Sequence, residues 1–79
     1  LMVQTTTKPP TPKTVAELKK TVKRLNSKAG QMKMDLHDLA EGLPTDYEKL
    51  IEEATKTYDL YRQLAELKQQ LKTWEQQLS

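Results

Sequence analysis

Between residues 15 and 43 the apolar positions alternate in spacing between three and four without a break. They are Val15, Leu18, Val22, Leu25, Ala29, Met32, Leu36, Leu39 and Leu43. A mean period of 3.5 sustained over about four heptads marks a coiled-coil seam, because it keeps one narrow stripe turned toward a partner helix. The spacing predicts a first helix over about 12–42. Its weak point is Gly30, which costs about 1 kcal/mol relative to Ala inside a helix. The start has two candidate caps. Thr11 can cap with Pro12 at the first helical position, or Thr14 can cap with Glu17 three residues on.

Gly42 reads as the helix stop, able to take positive φ, and Pro44 prevents continuation. Thr45 and Glu48 form a second capping box, so a second helix over about 46–78 follows a turn at 42–46. A connection this short forces two helices antiparallel. The expected fold is therefore all-α, an antiparallel two-helix hairpin.

The second helix carries two apolar stripes. Tyr47, Ile51, Ala54, Tyr58, Tyr61 and Ala65 form the first; Leu60, Leu64, Leu67, Leu71, Trp74 and Leu78 form the second, with Leu50 near its backward extension. The apolar face is thus broad near the turn and narrow toward the C-terminus. The first helix behaves alike, gaining Met34 and Ala40 beside its seam only in its later part. A narrow stripe suits one partner helix and a broad face suits two. The pattern predicts a homodimer joined through the turn-proximal halves, a partial four-helix bundle about a two-fold axis. Full-length side-by-side overlap of two hairpins is the alternative.

Composition sharpens this picture. With 79 residues, 35% apolar content and no cysteine, the chain has no disulfide or thiolate metal site. A single core in a chain this short seldom gives more than about 3–5 kcal/mol, so regular packing and self-association must supply the rest. Residues 1–10 are rich in Thr, Lys and Pro, cannot bury a face, and are expected to be a disordered arm. No run approaches the roughly 18 apolar residues of a membrane span, and the start lacks a signal-peptide core. A soluble, cytoplasmic protein is expected. Charge is uneven: residues 1–34 hold eight Lys/Arg and one acid, whereas residues 35–59 hold eight acids and two lysines.

His37, in "KMDLHDLAEGLP", is the only histidine. On a helical wheel it lies just off the seam, on the flank of the broad half, with Gly30 on the same side leaving room for close approach. A two-fold axis near that flank would bring two imidazoles together. Such a pair can share a divalent metal such as Zn, Ni or Cu, with Glu41 or Asp38 adding a carboxylate or orienting the ring. It could equally serve as a pH switch, because two charged imidazoles repel. A histidine in the last turn of a helix, among acids, is also favourable by itself through the helix dipole and needs no ligand.

The segment "MDLHDLAEGLP", followed by "YEKLIEEATKTYDLYRQL", resembles the Rop-like family of small helical proteins found in bacterial nitrogen-fixation gene clusters. The resemblance covers about residues 14–75, with "LHDLAE-x-LP" its most specific part. It implies a hairpin of two long helices, self-association and a role connected with nitrogen fixation. It also implies that His37 is a characteristic residue and candidate ligand for one divalent metal, Ni or Zn, per dimer.

Catalysis is not expected. There is no Cys, no second His, no Gly-rich phosphate loop and no convincing Ser–base pairing. The abundant acids read as a solvated face, and a hairpin dimer offers little of the concavity that acid–base work needs. The basic run Lys19, Lys20, Lys23, Arg24, Lys28 and Lys33 raises nucleic acid. Its charges wrap both flanks of the seam, however, as solvated coiled-coil positions do, and Tyr58 and Tyr61 lie on the apolar face as core rather than stacking platforms. Two readings remain. One is a non-enzymatic accessory protein of nitrogen fixation, dimeric, with a His37 metal site and a protein partner in that machinery. The other is an interaction hairpin with no physiological metal. An RNA-binding hairpin stands behind both.

Overall fold

The computed structural model describes residues 10–78. Residues 1–9, which hold nearly all of the expected disordered arm, lie outside the described residues. Helix α1 spans Pro12–Glu41 and helix α2 spans Leu50–Leu78; a 3-10 segment, Tyr47–Lys49, leads into α2. Among the described residues there is no strand. The two helices run antiparallel and pack along their length.

Helix α1 begins at Thr11, whose Oγ1 accepts from the Thr14 N–H at 3.1 Å while Thr14 Oγ1 accepts from the Thr11 N–H at 2.8 Å. Of the two candidate starts, the helix uses Thr11 with Pro12 behind it. Thr14 supplies the reciprocal bond that Glu17 would have given in the alternative.

The turn differs from its sequence reading in two respects. Gly42 caps α1 at φ −83°, in right-handed backbone, with its N–H donating to the Asp38 and Leu39 carbonyls. The positive φ falls instead at Asp46, φ 58°, where a short polar side chain tolerates the left-handed region. The Thr45–Glu48 box does not form, because Asp46 precedes the 3-10 segment with no side-chain cap. The chain turns through a succession of tight bonds: Leu43 N–H to Ala40 O, Thr45 N–H to Gly42 O, Tyr47 N–H to Pro44 O. Pro44 has no N–H to continue α1. Leu43, expected in the seam, stands 41% exposed because α1 has already ended.

The seam of α1 is otherwise as spaced: Val15 to Leu39 are all buried or half-buried, and Ala29 is fully enclosed. On α2 the residues turned inward are Leu50, Glu53, Thr57, Leu60, Leu64, Leu67, Leu71 and Trp74. The core centres on Ala29, Leu60 and Leu64, with Val22, Leu25 and Met32 against it. Small Ala29 lets the helices approach where the two leucines enter. Two inward positions in the first half of the α2 seam, Glu53 and Thr57, are polar. Thr57 Oγ1 donates to the Glu53 carbonyl at 2.8 Å, and Glu53 pairs with Lys56 at 3.8 Å. No described helix is long and apolar enough to cross a membrane.

Candidate functional site

Every seam residue is followed by a position on one side of the hairpin and preceded by a position on the other. Two cross-helix contacts show which sides meet: Lys19 Nζ to Glu75 Oε2 at 3.1 Å, and Tyr61 Oη donating to the Ala29 carbonyl at 3.3 Å. Lys19, Tyr61 and Glu75 each follow a seam residue. That flank therefore carries Gly30, Lys33, His37 and Ala40 of α1 beside Ile51, Ala54, Tyr58, Tyr61 and Ala65 of α2.

The two flanks differ completely in chemistry. On the preceding flank every position is polar, from Thr14, Glu17, Thr21 and Arg24 to Glu66, Gln70 and Thr73. On the following flank the turn half is apolar apart from Lys33 and His37, and the open half is lysine-rich. Ile51 is 81% exposed, Tyr58 66% and Tyr47 62%, and Met34 adds more apolar surface at the outer edge. The first stripe of α2 is thus displayed on one side, not buried within its own hairpin. The cause is the rotation of α2 set by Leu60 and Leu64 in the core, which turns Glu53 and Thr57 inward and leaves Ile51, Ala54 and Tyr58 outward.

His37 sits within this flank. The antiparallel register set by Lys19–Glu75 and Ala29–Tyr61 brings it level with Ala54 and Tyr58. Its side chain is 60% exposed. Nδ1 lies 3.7 Å from Asp38 Oδ1, and Nε2 lies 3.7 Å from Glu41 Oε2. Neither distance is a hydrogen bond. One ligand atom from each of the three residues falls within 4.8 Å of the others. Helical spacing produces the arrangement, since residues i and i+4 are neighbours on one face.

The donor set is mixed imidazole and carboxylate, which suits a borderline divalent ion such as Zn or Ni better than a hard one. Nε2 with Glu41 is the pair able to face an ion, while Asp38 at Nδ1 can accept the ring N–H and fix the tautomer. One chain offers only part of a coordination shell. The sequence placed His37, Glu41 and Asp38 together, and the structure does so too. The pattern did not reveal that the antiparallel register sets His37 level with Ala54 and Tyr58 of the other helix. The signal was available in the comparison of residues just before and just after each seam position.

Comparison with known proteins places this hairpin. A family model described as Rop-like matches residues 13–76. A UPF0437 protein of Nostoc sp. is 67% identical over 61 residues, covering 77% of this chain and 86% of that protein. The UPF0437 protein in the nifX-nifW intergenic region of Frankia alni is 41% identical over 69 residues, covering 76% of this chain and 84% of that protein. The crystal structure of a DUF683 family protein from the cyanobacterium Cyanothece 51142 superposes with a TM-score of 0.83. It is 69% identical and covers 85% of this chain and 94% of its own.

Proposed function

The chain belongs to the Rop-like family, and from that premise we propose that it is a non-enzymatic accessory protein of nitrogen fixation that works as a homodimer in the cytoplasm. Two copies pack through their turn-proximal flanks, and the pairing assembles a divalent-metal site from His37 of each. The location of one relative between nifX and nifW supports the process. The family is one of small helical proteins rather than an enzyme family, which supports a binding role.

One observation carries the reading: His37 lies in the middle of the exposed apolar flank, beside Ala40 and level with Ala54 and Tyr58, while the other flank is polar throughout. Removing such a flank from water drives association, at about 25 cal/mol per Å² of apolar surface. A two-fold axis through the flank turns one His–Glu pair into two, enough for a four-ligand site.

Titrating Ni²⁺ or Zn²⁺ by calorimetry tests this. The expected result is one ion per two chains in the wild type and no binding in His37→Ala. The variant Ile51→Glu keeps His37 but disrupts pairing, and it loses the ion as well. Equal binding by the wild type and His37→Ala overturns the metal site. The interaction-hairpin reading then takes its place.

A further inference from the structure

The same flank ends differently at the open end of the hairpin. Pro12, Val15 and Ala16 at the start of α1 and Leu78 at the end of α2 line a shallow groove of about 350 Å³, with Lys19 and Glu75 on its rim. Val15 forms the floor and is buried, whereas Leu78 remains 43% exposed. The space is ample for an apolar side chain.

The rim is basic. Lys23 follows Lys19 by one helical turn, and Lys72 and Lys68 precede Glu75 by one and two turns on the facing helix. Glu75 is the only acid among the flank positions of this half. It is already engaged with Lys19 at 3.1 Å, and both side chains stay about half exposed, at 58% and 46%. Exposed pairs of this kind are weak and exchange readily. Glu75 thus holds the place on Lys19 that an incoming carboxylate would take.

We propose that this open-end groove docks an acidic amphipathic peptide segment of a partner protein. An apolar side chain of the segment enters between Val15, Ala16 and Leu78. Its carboxylates reach Lys19, Lys23 and Lys72, displacing Glu75 from Lys19. The lysines of the flank select an acidic occupant, and the apolar floor selects a side chain over a phosphate. Nucleic acid fits less well, because Trp74 is turned inward into the seam and no aromatic ring lines this groove for base stacking. The inference rests on the single hairpin and does not need the metal site. Should two copies pair through their turn halves, the grooves face opposite ways and the dimer is bivalent for its partner.

Fluorescence anisotropy on the full chain tests the proposal. The probe is a labelled helical peptide with leucines at i, i+4 spacing flanked by glutamates. The controls are its lysine-for-glutamate counterpart, a labelled single-stranded RNA, and vesicles containing phosphatidylserine. The expected result is saturable binding of the acidic peptide alone. Lys19→Glu weakens it at least about tenfold, and Glu75→Gln tightens it severalfold by freeing Lys19. Ala16→Phe fills the groove without changing charge, and it too weakens binding about tenfold. Helical content by circular dichroism and the metal titration stay unchanged in all three variants, which separates loss of docking from loss of fold. Binding that ignores Ala16→Phe, equal or stronger binding of RNA or vesicles, or no peptide binding overturns the assignment. A change in sedimenting mass with Ala16→Phe also overturns it, by giving the groove to a second copy of this chain.

Discussion

At the scale of single residues the account turns on two positions of α1, His37 and Gly30. Asp38 stands 3.7 Å from Nδ1 of His37, placed to orient the ring rather than to bind an ion. Asp38→Asn should therefore weaken Ni²⁺ affinity by about 10–100-fold and leave the stoichiometry intact, as losses of orienting partners generally do. Calorimetric titration beside the wild type measures it. Gly30 is the second. A Cβ built there meets nothing within 4 Å, so nothing in its own hairpin requires glycine. In a lone hairpin Gly30→Ala would stabilise α1 by roughly 0.5–1 kcal/mol. If a second copy approaches closely at this point, the added methyl overpacks the contact at about 1–3 kcal/mol. The expected outcome is association weaker by about fivefold or more, read by sedimentation equilibrium. Both residues were visible in the sequence, His37 as the lone histidine among acids and Gly30 as the soft point of a regular seam. Their shared flank followed from spacing alone.

At the scale of the elements, α1 was legible and the first half of α2 was not. The α1 seam runs from Val15 to Leu39 in apolar residues, so periodicity identified every inward position. On α2 the inward positions before Leu60 include Glu53 and Thr57, and a search for apolar residues follows the wrong stripe there. The turn was misread for a related reason. Glycine suggested the positive φ, but tight bonds after Asp38 keep Gly42 right-handed, and Asp46 takes the unusual backbone. Two stability outcomes follow from this packing. Leu64, 2% exposed, anchors the core, and Leu64→Ala should cost about 2–5 kcal/mol. Thr57→Leu should do the reverse. It replaces a half-buried hydroxyl, bonded only back to the Glu53 carbonyl, with a side chain that fills the seam. A gain of about 1 kcal/mol corresponds to roughly 4–8 °C in thermal midpoint for a chain this size, measurable by circular dichroism at fixed concentration.

At the scale of the whole molecule, the hairpin has one polar flank and one that changes along its length, apolar by the turn and basic at the open end. The core of buried apolar residues is small, comprising Val15, Ala29, Leu60 and Leu64 among the described residues. Ile51, Tyr58 and Tyr47 meanwhile lie largely in water. In the proposed dimer, pairing through the turn half would convert that exposure into a core and bring the two His37 side chains toward each other. The proposed metal site and the proposed association thus stand on one piece of physics, the outward-facing α2 stripe. Sedimentation velocity of the wild type and Ile51→Glu at micromolar concentration tests it most directly. The account predicts dimers for the wild type and monomers of reduced helix content for Ile51→Glu. Stably folded monomers of the wild type at those concentrations would contradict it.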